Sequence, residues 1–171
     1  MSSKLQEDAS GTGAATARRT YWKMPPVIKL YEALGAVGDG RCELAGPSVA
    51  FVRSSCGDKT YRVETGDGGR ELSSSDNASY WQGYLGYPAI AALFQRGVLK
   101  PDPQAAAALA GIPWHNLNQR FKNDYAKTLA EVERRLAASG QDSSRVRAAA
   151  HATIEALREL KPYRGRRLRP S

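Results

Sequence analysis

Long apolar runs are missing from this chain. No stretch approaches the roughly 18 consecutive apolar residues that a membrane-spanning helix needs. The opening residues, MSSKLQEDASGTGAATARR, lack the apolar core of a signal peptide. A cytoplasmic protein without a membrane partner is therefore expected. Cysteine is scarce: Cys42 and Cys56 are the whole complement, too few for a disulfide scaffold and expected to be reduced thiols. Histidine is equally scarce. His115 and His151 fall on different expected helices, and neither has a cysteine or carboxylate at a ligand spacing such as HxxxH. A zinc site needs three or four converging ligands, so no metal and no cofactor is expected, and His115 is read as a capping or surface residue. The serine-nucleophile elbow, the phosphate-binding glycine loop with lysine and the HExxH helix are all absent. No catalytic residue is assigned.

What is present suits one ordinary domain. The chain has 171 residues, of which 42% are apolar and 25% charged, enough for a packed core. Its net charge is +8, unevenly spread. The last residues, KPYRGRRLRPS, hold Lys161, Arg164, Arg166, Arg167 and Arg169 and no acid. Such a segment attracts phosphate backbones and other polyanions without needing a fold. It is equally readable as a solvated, disordered end.

Periodicity divides the rest. Residues 1–24 carry serine, glycine, alanine and charge without a period and are expected to be a disordered arm. After Pro25 and Pro26, Val27, Leu30, Tyr31 and Leu34 share one helical face, giving a helix of about ten residues. The period then changes. SVAFVRSS, KTYRVET and RELSSS are short strand patterns separated by the turn signals CGD and GDGG, with Tyr61 and Val63 on one face and Leu72 inward. RCEL is a candidate fourth strand. Pro88 opens a helix with Ile90, Leu93 and Phe94 on one face and Gly97 at its exit. A short alanine-rich helix ends at Gly111. One long periodic segment then runs from Trp114 through Phe121 and Tyr125 to Leu136. Past Gly140 a last helix presents Val146, Ala150, Ile154 and Leu157, and the short SGQDS connection predicts an antiparallel pair.

The expected fold class is α+β: a short antiparallel meander of three or four strands flanked by helices, with a C-terminal helical hairpin. In domain terms, residues 1–24 are the arm, 25–111 a small α+β domain, 112–160 the helical hairpin packing on it, and 161–171 a basic disordered tail.

The segment SSSDNASYWQGYLGYPAIAALFQRG, Ser73 to Gly97, concentrates aromatic residues: Tyr80, Trp81, Tyr84 and Tyr87 lie within eight positions. Such rings stack on bases. They also seal a seam between a sheet and its covering helix, since tyrosine and tryptophan join an apolar body to a polar tip. Residues 77–87 contain no lysine or arginine. That favours the seam, with one or two of the four rings left exposed.

The order of elements here, a strand KTYRVET, a short strand ELSSSD, a loop and a helix opening GYPAIAAL, resembles a SWIM zinc finger over residues 49–96. The family's paired cysteines would fall around Ser73 and Ser75 and its Cys-x-His at Gly86 and Pro88, so every zinc ligand is absent. The resemblance implies a zinc-less ββα module of the kind used for DNA or protein contacts. Burial of the four rings, about 1.5–3 kcal/mol for each large side chain, would then stand in for the metal.

Three functions follow as expectations. The first is a non-enzymatic binding or adaptor protein that contacts nucleic acid through Lys161, Arg164, Arg166, Arg167 and Arg169, with Tyr80 and Trp81 as stacking partners. The second is a protein–protein or homodimerisation module with an incidental basic tail. The third is an enzyme using the Ser73–Asp76 turn and His115.

Overall fold

The computed structural model describes residues 17–171. Most of the expected disordered arm, residues 1–16, lies outside the described residues. Helix α1 (Val27–Gly38) follows Pro26 and is buried on nearly every side, as an apolar helix must be when it runs through a core. Four strands come next: β1 (Cys42–Leu44), β2 (Val49–Arg53), β3 (Thr60–Gly66) and β4 (Glu71–Ser74). They form an antiparallel meander in chain order, with Val52 opposite Tyr61 and Val63 opposite Ser74. Ala50, Val52, Val63 and Leu72 point inward and are fully buried, the alternation that a half-buried sheet imposes.

Helix α2 (Tyr87–Gln95) covers the inner face and packs on α1. Beyond α1 lie α3 (Pro103–Ala108), α4 (Trp114–Arg120), α5 (Tyr125–Ala138) and α6 (Ser143–Leu160). One hydrophobic cluster runs from Val63 and Leu93 through Ile28 and Leu34 to Val132 and Leu157. The helices after residue 112 therefore share a core with the sheet half. The architecture is α+β, as the sequence indicates.

Two expectations are corrected. The long segment from Trp114 to Leu136 is two helices. Lys122 and Asn123 both take the left-handed backbone conformation (φ 53° and 62°), and the Asp124 side chain accepts the Lys127 amide to start α5 afresh. The region after 112 is thus α4 followed by the α5–α6 hairpin.

The second correction concerns both ends of the chain. Residues 161–171 are not a free tail. Strand β5 (Tyr163–Arg164) adds to the sheet parallel to β4, pairing Glu71 with Tyr163. Tyr163 and Leu168 are buried, and the Ser171 amide donates to the Ser75 carbonyl. The described part of the arm is placed as well: Tyr21 bridges to Tyr163 and Lys23 to Tyr84. The exposed edge of β4 offers unpaired backbone groups, and the C-terminal segment satisfies them.

Candidate nucleic-acid interface and adjoining cleft

The aromatic loop is held by a carboxylate. Asp76, nearly inaccessible, accepts hydrogen bonds from the Ser74 hydroxyl (2.5 Å), the Ser79 amide (2.9 Å) and the Ser79 hydroxyl (2.7 Å). The Ser79 oxygen in turn accepts the Gly86 amide at 2.9 Å. The end of β4 and the start of α2 are thereby tied together. Only glycine fits at 86, since a Cβ there would lie 2.0 Å from Asp76 Oδ1. Within this loop a π-helical turn, Ala78–Gln82, ends at left-handed Gly83.

One of the four rings stands exposed, within the one or two that the sequence leaves outside the seam, and none of the other three is fully buried. Trp81 is 68% exposed, and Tyr80, Tyr84 and Tyr87 are each half-buried. The fully buried member is Leu85. Sealing falls to Leu85 and the Asp76–Ser79 hydrogen bonds, so burial of all four rings is not what closes this unit. Tyr80 and Trp81 meet edge to face, with ring centres 4.6 Å apart.

The cations missing from residues 77–87 arrive from the C-terminal segment. Arg167 lies over the Tyr80 ring at 4.0 Å, and Arg164 over the Trp22 ring at 4.8 Å. Arg164 also donates to the Gly83 carbonyl at 3.3 Å. Trp22, Tyr80, Arg164, Arg166 and Arg167 line a recess of about 250 Å³. Arg166 is spent on Glu64, which it meets through two hydrogen bonds. Together with Arg62, Arg166 holds the Glu64 carboxyl down at about 2. Lys161 caps α6 in a left-handed conformation and borders a neighbouring shallow recess with Tyr21, Trp22 and Met24. Arg169 is exposed. Of the seven expected contact residues, the fold gathers Tyr80, Trp81, Arg164 and Arg167 into one surface. Arg166 sits in it neutralised, Lys161 borders the neighbouring recess, and Arg169 has no contact with the recess.

Trp81 also lines a cleft of about 660 Å³. Its floor is the Lys29–Glu32 ion pair (2.9 Å), one turn of α1, with both side chains nearly shut off from water. Asn118 of α4 donates to Glu32 at 2.7 Å. Burial works against the Lys29 ammonium, yet Glu32, Tyr125 and Tyr84 outweigh it and the Lys29 pKa lies above its usual value. Burial, helped by Tyr125, pushes the Tyr84 hydroxyl up to about 12. The wall carries Arg41, Tyr61 and Tyr87, and the rim carries Ser54, Ser55 and His115. Sequence reasoning passed over Lys29, Glu32 and Arg41, which read as ordinary charges of a helix and a strand edge. It also passed over Trp22, placed in the arm.

The Ser73–Asp76 turn and His115 do not pair. The Ser75 hydroxyl meets the Arg62 amide and the Ser171 hydroxyl, and Asp76 is occupied by Ser74 and Ser79. His115 lies instead beside Cys56 and Asp58.

Fold and site together define an α+β protein with an arginine–aromatic surface next to a polar cleft, and among the described residues no helix is long and apolar enough to cross a membrane. The chain belongs to the family described as uncharacterised conserved protein UCP014422, whose model matches residues 22–163. That span takes in Trp22, the aromatic loop and the whole cleft lining, and stops one residue before Arg164. No curated protein and no solved structure matches the chain.

Proposed function

We propose that the protein binds single-stranded nucleic acid, with phosphates against Arg164 and Arg167 and bases stacked on Trp81 and the free parts of Tyr80 and Trp22. The observation that carries this reading is the seating of Arg167 on Tyr80, beside exposed Trp81. Stacking platforms for single strands combine aromatic faces with cations that follow the backbone. A guanidinium lying flat on a ring keeps its N–H edge free for a phosphate oxygen. Among the described residues neither Arg164 nor Arg167 forms an ion pair with a carboxylate. The two free thiols suit a reducing cytoplasm as the place where the ligand is met.

The test is fluorescence anisotropy of a labelled single-stranded oligonucleotide across a salt series. Each phosphate neutralised contributes about −0.7 to the slope of log affinity against log salt. Arg167→Ala should weaken binding and reduce the slope by about that amount. Deleting residues 161–171 is the poorer experiment, because it also removes β5 and buried Leu168. Absence of binding, or an affinity and slope unchanged by Arg164→Ala and Arg167→Ala, would remove the reading.

A further inference from the structure

The turn between β2 and β3 and the first turn of α4 meet at the rim of the cleft, and there the fold brings together Cys56, Asp58 and His115. One donor atom from each lies within 4.8 Å of the other two. We propose that these three side chains form a binding site for a borderline divalent transition-metal ion of the zinc class, with a fourth position open toward the cleft.

The donor set argues for that ion. A thiolate is soft, an imidazole intermediate and a carboxylate hard. Zinc accepts all three, whereas calcium and magnesium call for oxygen ligands alone. Ligands bound at roughly 2.0–2.3 Å in a tetrahedron stand about 3.3–3.8 Å apart, so the present spacing needs only small side-chain adjustments. The Cys56 thiol points at Asp58 Oδ1 from 2.8 Å. A metal ion would replace the thiol proton in that contact. The proton leaves to solvent as the thiolate binds, so affinity rises with pH.

The surroundings hold the ligands in place before any ion arrives. The Ser54 hydroxyl donates to Asp58 Oδ1 at 2.7 Å and fixes the carboxylate. Ser54 also pairs with Lys59 through its backbone amide (2.9 Å), and its hydroxyl receives the Lys59 amide at 3.2 Å. Gly57 supplies the left-handed residue that this tight turn needs (φ 78°). Across the notch, the His115 amide donates to the Ser55 hydroxyl at 2.9 Å and ties the start of α4 to the same turn. Such outer partners orient first ligands and tune affinity. Cys56, Asp58 and His115 all reach the surface, so an ion has a path in. Ser54, Ser55 and His115 also line the cleft, and the fourth position faces that space, for water or for an oxygen or nitrogen donor of a molecule held there. The site shares no residue with the nucleic-acid reading, so either can fail without the other.

Tag-free, metal-stripped, reduced full-length protein should be titrated with cobalt(II). The expected result is one ion per chain, with a near-ultraviolet thiolate-to-cobalt charge-transfer band and the intense visible bands of a tetrahedral centre, all displaced by zinc. Cys56→Ser should abolish the charge-transfer band. His115→Ala and Asp58→Asn should each lower zinc affinity at least about tenfold, and Ser54→Ala about ten- to a hundredfold as an outer partner. Zinc should also raise the melting temperature of the wild type and, at the same concentration, raise that of His115→Ala less. Cys56, Asp58 and His115 lie at the surface while Ser54 is buried beneath them, and circular dichroism checks that the variants fold. A cobalt complex without the thiolate band, or a zinc affinity that ignores both His115→Ala and Asp58→Asn, would overturn the proposal.

Discussion

Lys29 and Glu32 sit one turn apart on α1 and form a 2.9 Å ion pair whose side chains are only 10% and 3% exposed. Asn118 supplies the second hydrogen bond to Glu32, so a single carboxylate joins the central helix to α4 across the cleft floor. Desolvating two charges is expensive, and a buried pair is weak evidence of net stabilisation. Breaking it is another matter.

Glu32→Ala leaves the Lys29 ammonium buried without its partner. Loss of one member of a buried pair typically costs about 3–5 kcal/mol, and chemical denaturation should show a loss of that order. Lys29→Met, which removes the other charge and keeps the volume, leaves Glu32 still hydrogen-bonded by Asn118 and should cost less. Because the Lys29 pKa is raised on folding, its contribution is fully present below the ordinary lysine pKa of about 10.4 and fades as pH rises through the folded value. Wild-type stability should therefore be insensitive to this pair throughout the neutral range.

Trp81 offers a cleaner test of the surface. Its side chain is 68% exposed, so Trp81→Ala should leave the melting temperature almost unchanged. Alanine replacement of a stacking ring costs about 1–3 kcal/mol of binding per base. A single-stranded oligonucleotide should quench tryptophan fluorescence in the wild type and bind the variant roughly ten- to a hundredfold more weakly, the fold-change that corresponds to that loss. Equal affinity would show that the exposed ring takes no part.

Glu64 and Arg166 make the attachment of the C-terminal segment pH-dependent. The Glu64 carboxyl is lowered from 4.5 to about 2, first by its hydrogen bond to Arg166 and then by Arg62. A carboxyl whose folded pKa is depressed stabilises above its unfolded pKa, and that stabilisation is lost as pH falls through the folded value. Amide hydrogen exchange at Arg164 and Gly165 should therefore quicken, relative to the rest of the sheet, as pH drops from 4.5 toward 2. Glu64→Gln should show the faster exchange already at neutral pH and should lose this acid-induced change. The pair is largely solvent-exposed on the arginine side, which keeps the effect local and salt-sensitive.

The meander was legible because period-two alternation in KTYRVET and the glycine–aspartate turns act locally, on residues next to one another. So was α2, between Pro88 and Gly97. The break between α4 and α5 was hidden, because the apolar spacing runs on through Phe121 and Tyr125 and only the left-handed Lys122 and Asn123 interrupt the backbone. Docking of the C-terminal segment was hidden for another reason. Tyr163 and Leu168 stand among arginines, and nothing near them in the chain tells that the edge of β4 and Trp22 provide a place to bury them. The same holds for both candidate sites. Arg167 meets Tyr80, and His115 meets Cys56 and Asp58, only because the sheet brings distant turns together. Spacing rules are blind to such encounters.

The tie between β4 and α2 carries the last prediction. Asp76 accepts three hydrogen bonds in a nearly dry setting, and Gly86 leaves room for it. Asp76→Ala strands the Ser74 and Ser79 hydroxyls and the Ser79 amide, and each buried unsatisfied group costs about 1–3 kcal/mol. Gly86→Ala attacks the same junction from the other side. Its Cβ would lie 2.0 Å from Oδ1, so the carboxylate must move and surrender its partners. Both variants should lower the melting temperature, by about 2–4 °C for every kcal/mol lost in a chain of this size. Because the two substitutions disturb one set of bonds, their effects should be far from additive: the double variant, in which alanine at 86 no longer meets a carboxylate, should be little worse than Asp76→Ala alone. Full additivity in a thermal-denaturation cycle would show that Gly86 is required for some contact other than Asp76. Since the loop that bears Tyr80 and Trp81 hangs from this junction, oligonucleotide affinity should fall in both single variants even at temperatures where they remain folded.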